Sequence, residues 1–203
     1  MVWGQGRLLV RTTNRQAAIS SADQGLPTTG ENSFIATIPF ADHGGGSARS
    51  VVVETRKNYG GFSAAACLGG RFDPGGDSLI LQLADMSLPI PAKLDFRMTS
   101  DLGSDLVVGL PREYARGAFI GLVDAAMFLP LPAGRLRVDI AAHDERDSSP
   151  MAFKMVAGLL MWVVCANESV HDLADVAVTE QLAKWTGDTY RKSAWRQGSP
   201  QSR

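Results

Sequence analysis

The hydrophobic positions of this chain change period along its length, and the changes mark its elements. Between 111 and 129, Tyr114, Ala118, Phe119, Leu122, Val123 and Ala126 recur at three- and four-residue steps, the spacing of one helix face. Pro111 opens this run, at a position where a missing N–H leaves no bond unmade. From 135 to 142 the period falls to two. Leu136, Val138 and Ile140 alternate with Arg135, Arg137 and Asp139, which predicts a strand with one wet face. Asp147, Ser148, Ser149 and Pro150 then form a helix entry, with a side chain to accept a backbone N–H and a proline for the first turn. The helix they start is expected to reach about 167. A third, amphipathic helix is expected over 172–185.

Upstream the pieces are strand-sized. The β-branched run 50–56 ends at a turn, Tyr59-Gly60-Gly61, and 62–68 resumes as its hairpin partner. Asp73-Pro74-Gly75-Gly76 is a strong turn, 78–84 reads as a strand, and Leu88-Pro89-Ile90-Pro91 breaks the chain before another strand at 93–98. In the first part of the chain, strands are expected at 7–13 and 34–40, separated by a flexible polar loop, 14–32. Gly44-Gly45-Gly46-Ser47 reads as a linker. The expected organisation is therefore an N-terminal arm (1–49), a central domain (50–170), and a C-terminal helix with a frayed basic tail (171–203).

Composition narrows the class. A chain of 203 residues with 45% hydrophobic and 20% charged content suits one globular domain with a real core. Its formal net charge of −1 supplies no overall attraction to a phosphate backbone, so any nucleic-acid contact must be local. Cys67 and Cys165 lie far apart in apolar surroundings and read as buried small hydrophobes, in keeping with a cytoplasmic chain. No signal peptide is evident, and the most apolar helix is too short to span a bilayer. His43, His143 and His171 lack any partner at metal-ligand spacing, so neither metal nor cofactor is expected.

The phrases at the helix and strand starts resemble the fourth domain of ribosomal elongation factor G. That family's Ile-Pro-x-Glu-Tyr…Gly is similar to Leu110, Pro111, Glu113, Tyr114 and Gly121. Its Ala-Gly-x-x-x-Val-Asp strand is matched by Ala133, Gly134, Val138 and Asp139, and its Asp-Ser-Ser-x-x-Ala-Phe-Lys helix start by Asp147, Ser148, Ser149, Ala152, Phe153 and Lys154. The family's Arg-Gly-Gln-Tyr-Gly turn looks like Arg56, Lys57, Asn58, Tyr59 and Gly60. The four phrases occur in the family's order and cover about residues 50–168.

The resemblance implies an α/β fold: a two-layer sandwich of the ribosomal protein S5 second-domain type, with a mostly antiparallel sheet and two main helices on one face. It also implies a place in translation, with the ribosome, ribosomal RNA or a translation factor as partner. Departures limit the transfer. No Gly-x-x-x-x-Gly-Lys-Ser/Thr loop is present, so no nucleotide hydrolysis is expected. Glu54 and Thr55 stand where the family has glycines. Only 140–146 fill a connection that is longer in the family, and no family residue is carried onto His143.

Two groups are candidates for contact. Arg56, Lys57, Asn58 and Tyr59 form a basic, aromatic turn able to place charge on phosphate and a ring on a base; they read equally as a solvated hairpin tip. His143, Asp144, Glu145 and Arg146 are expected at the same end of the sheet, or form an ordinary polar loop. Ser148 and Ser149 beside His143 do not make a hydrolase site, because no Gly-x-Ser-x-Gly elbow is present; both serve better as caps. The leading expectation is a non-enzymatic binding module. The alternative is a protein-interaction scaffold that kept the fold and lost the ribosome.

Overall fold

The computed structural model describes residues 7–21, 34–39, 47–58, 60, 63–84, 86, 97–103, 105–166 and 172–185. Their strands are β1 (Arg7–Arg11), β2 (Arg15–Ser21), β3 (Phe34–Pro39), β4 (Arg49–Asn58), β5 (Ser63–Pro74), β6 (Ser78–Leu83), β7 (Arg97–Met98), β8 (Leu106–Val108) and β9 (Gly134–His143). The helices are α1 (Arg112–Ala126), α2 (Pro150–Cys165) and α3 (Asp175–Trp185). The strands form one sheet in the order β1-β2-β4-β5-β9-β6-β3, with β8 joining β7 to the end of β9. All pairings are antiparallel except β6 with β9, where α1 provides the crossover that a parallel pair requires.

The fold is a two-layer α/β sandwich. Val10, Ile19, Val53, Leu68, Leu81 and Leu136 from the sheet share one core with Leu122, Phe153, Val156 and Leu160 from the helices. α1 and α2 pack on each other over this face, and α3 lies against α2 and β1. Burying an apolar stripe from each layer in one core is what holds such a pair together. The opposite face carries a second, smaller cluster, in which Met98 and Leu106 cover Val52, Cys67, Ile140 and Ala142.

α1 and α2 meet at glycines. A Cβ on Gly117 would lie 2.2 Å from the Pro150 carbonyl oxygen, and one on Gly121 would lie 2.3 Å from that of Lys154. Side chains there would force the helices apart. The matched spacing, 117 with 150 and 121 with 154, shows that the helices run the same way, so both begin at one end of the sheet. Lys154 Nζ and Asp124 Oδ2, 2.6 Å apart, join the helices further along.

Several expectations need correction. Residues 15–21, read as loop, form β2, a strand between β1 and β4. Its burial on both faces removes the alternation that would have marked it: Ala17 and Ile19 are in the main core, and Ala18 and Ser20 are buried on the other side. Strands on both sides of Ala48 share the sheet. The remainder of the expected loop, the glycine linker up to Gly46, the Leu88–Pro91 break and the basic tail lie outside the described residues.

The strand at 135–142 also departs from simple alternation. Gly69 pairs with Ile140 but Gly70 with Val138, leaving Asp139 as the extra residue of a β-bulge. Past it the phase reverses. Leu136 and Val138 enter the main core, whereas Ile140 and Ala142 enter the second cluster. Gly70 makes this possible, since a Cβ there would lie 2.2 Å from the Arg137 carbonyl oxygen.

Candidate functional site

Three chain reversals gather at the end of the sheet where α1 and α2 begin. The first joins β1 to β2: Thr12 N–H donates to the Arg15 carbonyl at 2.7 Å, while Thr12 Oγ1 accepts from Arg15 N–H at 3.2 Å. This is the local side-chain bonding that threonine favours in turns. The second is the end of β4 and the start of β5. It is tied to the first by Asn58 N–H donating to the Asn14 carbonyl at 2.8 Å, and Arg15 stands opposite Lys57 in the ladder.

The third reversal leads from β9 into α2. Asp144 Oδ1 accepts from the N–H groups of Arg146 and Asp147, at 2.9 and 3.1 Å, closing a tight turn. Ser148 Oγ donates to the Ala65 carbonyl at 2.6 Å and accepts from Asp144 N–H at 2.8 Å. Ser63 Oγ donates to Asp147 Oδ2, and Ala65 N–H donates to the Asp147 carbonyl at 2.9 Å. Ser149 caps α2 by accepting from Ala152 N–H at 3.1 Å. The second and third turns are thereby sewn together.

The residues singled out in the sequence meet at this end in different states. Arg56 Nη2 lies 3.6 Å from Asp144 Oδ2, each side chain 16% exposed. Lys57 is buried, whereas Asn58, Glu145 and Arg146 are exposed. Tyr59 lies outside the described residues. His143 is half-buried; its Nδ1 is 3.2 Å from the Gly109 carbonyl oxygen and its ring meets Tyr114 edge-on at 5.9 Å. That imidazole is held as a packing and hydrogen-bonding group. Asp144 is the acceptor that shapes the turn, Ser148 Oγ both donates and accepts within it, and Ser149 Oγ caps α2.

Sequence reasoning missed Arg11 and Arg15. They flank the first turn, and Arg11 is exposed. The signal was available in Thr12-Thr13-Asn14, turn-forming residues between two arginines, but reading β2 as loop hid it. A cleft of about 340 Å³ opens beside the third turn, lined by Ser63, Ala64, Arg146, Asp147, Ser149 and Met151 among others.

Neither thiol is suited to reaction. Burial raises the Cys67 pKa well above its ordinary value, and burial raises that of Cys165 to about 12 against the opposing pull of Arg49; a reactive cysteine requires the thiolate. Among the described residues no group of three or more His, Cys, Asp or Glu side chains is arranged to hold a metal ion. No helix among them is long and apolar enough to cross a membrane.

No family model matches the chain, and no curated protein matches it. Among solved structures, a crystal structure of a Thermus thermophilus protein is similar over 65% of this chain and 17% of that chain, at 18% identity and a TM-score of 0.41.

Proposed function

We propose that this chain is a non-enzymatic, cytoplasmic binding module of the translation apparatus that contacts ribosomal RNA through the three-turn end of its sheet. The observation that carries this reading is the joining of the turns into one surface with Arg11 and Arg146 exposed on it. Arg15, Arg56 and Lys57 lie in neighbouring ladder positions behind them. α1 and α2 both start at this end, and their dipoles add positive potential there. Such a surface attracts phosphate locally despite the net charge of −1. The four phrases similar to elongation factor G support the choice of partner.

The direct test is filter binding to purified ribosomal RNA across a salt series. A protein neutralising a few phosphates loses affinity linearly on a log–log plot, with a slope of about −0.9 per phosphate on a duplex. Binding with a slope of about −2 or steeper supports the reading, and no binding at low salt rejects it.

A second reading, a protein-interaction scaffold, is favoured by apolar residues at the other end of α1. Met127 is 72% and Phe128 62% exposed, with Ile120 one helical heptad before Met127 at 39%. A partner held there would survive high salt, which separates this reading from the first.

A further inference from the structure

The second core is covered by a short, separately fastened piece of chain. β7 and β8 contribute two and three residues, joined by two paired positions to each other and two to β9. Met98 and Leu106 from this piece roof Val52, Cys67, Ile140 and Ala142, and Leu102 between them is also buried. This cluster is distinct from the main core, so uncovering it need not disturb the helices.

One carboxylate fastens the turn between β7 and β8. Glu54, on the back face of β4 and 4% exposed, accepts from Ser100 Oγ and, through Oε2, from Asp101 N–H at 3.0 Å. Ser100 Oγ in turn accepts from Leu102 N–H at 2.9 Å. Asp101 Oδ1 is paired with Arg7 Nη2 at 2.7 Å, which ties the same turn to β1. Directly opposite Glu54 in the ladder is Cys67, with no exposed surface.

We propose that β7, the turn 99–103 and β8 form a strap that opens as a unit while the main core stays folded, with Glu54 as its latch. Opening bares the apolar face formed by Val52, Cys67 and Ile140. Local opening of this kind is expected where a segment has few apolar contacts of its own and short ladders.

The latch responds to pH in a defined direction. The titratable and charged groups around Glu54 are Asp101 on the strap, Arg7 on β1 behind it, Arg56 on its own strand, and the neutral Cys67 thiol on β5. Burial raises the Glu54 pKa above the ordinary value, opposed by the hydrogen bonds from Ser100 and Asp101. The closed strap therefore favours protonated Glu54, and opening, which solvates the carboxylate, becomes easier as pH rises through that elevated value.

Cys67 alkylation in the 203-residue chain carrying Cys165→Ser reports the opening. The rate at each pH is divided by that of a free model thiol and compared with the global unfolding constant from circular dichroism in urea. The strap predicts labelling faster than global unfolding allows, with a corrected rate that rises as the pH is raised above the ordinary carboxylate range. Glu54→Ala, which leaves two donors without an acceptor, speeds labelling about tenfold. Glu54→Gln keeps an acceptor without the charge and removes the pH dependence. Labelling that matches global unfolding at every pH overturns the strap. A corrected pH dependence that persists in Glu54→Gln overturns the latch, and this variant decides the matter even if Glu54→Ala fails to fold.

Discussion

The Tyr114 ring stacks on that of Phe153, with centroids 5.4 Å apart and planes inclined by 15°. Tyr114 belongs to the first turn of α1 and Phe153 to the first turn of α2, so one contact joins two phrases that lie far apart in sequence. His143, at the end of β9, meets the Tyr114 ring as well, edge-on. These residues assemble the scaffold: Tyr114 and Phe153 stack, Gly121 admits α2, and Ser149 caps it.

The stacked pair makes the first prediction. Phe153 has no exposed surface, so Phe153→Ala should cost about 3–5 kcal/mol in urea unfolding. In a double-mutant cycle of Tyr114→Leu with Phe153→Leu, the coupling should be about 0.5–1.5 kcal/mol. A coupling of zero would mean that the stack adds nothing beyond burial.

The helix crossing yields a prediction against propensity. Alanine is favoured over glycine by about 1 kcal/mol in a helix interior, yet Gly121→Ala should destabilise by about 2 kcal/mol because its Cβ meets the Lys154 backbone. Arg116→Ala, at an exposed position of α1, should stay within about 0.5 kcal/mol. Denaturant midpoints of the two variants give the comparison.

The cap at α2 should show its chemistry. Ser149→Ala removes the acceptor for Ala152 N–H and should cost about 1 kcal/mol, whereas Ser149→Asp retains it and should be close to neutral. Equal losses in both variants would place the role of Ser149 elsewhere.

Buried Glu54 shapes the acid–base profile of stability. Because its folded pKa is raised, chiefly by burial, its favourable contribution is present below the unfolded value and is lost as pH rises through the folded one. Glu54→Gln should therefore raise the urea midpoint relative to the parent at about pH 8, with the gap closing toward about pH 4. A gap that widens on acidification would reverse the assigned sign.

Much of the architecture was legible because it obeys simple periods. α1 shows its three- and four-residue spacing, and the start of α2 is written in Ser149 and Pro150. β2 was illegible because a strand buried on both faces loses alternation, and Arg15-Gln16-Ala17-Ala18 carries little strand preference. The bulge at Asp139 was hidden as well: the alternation of residue types runs on through Ile140, and only the glycine across the ladder lets the phase reverse. At the candidate site, the gathering of Arg56 and Asp144 at one end followed from the resemblance. Lys57 is buried beside β2, whose Arg15 faces it across the ladder 42 positions away in sequence, and no local pattern encodes that pairing; the turn that Asp144 closes is local, with its Oδ1 accepting from the N–H groups two and three residues on.

Ribosome co-sedimentation at low salt tests the central claim most directly, comparing the parent chain with a variant carrying Arg11→Glu and Arg146→Glu. Both residues are exposed at the three-turn end, so folding, checked by circular dichroism, should be unchanged. The account predicts that the parent pellets with ribosomes, that the charge-reversed variant stays mainly in the supernatant, and that rising salt releases the parent. A parent chain that never pellets, or a variant that pellets as well as the parent, would contradict it.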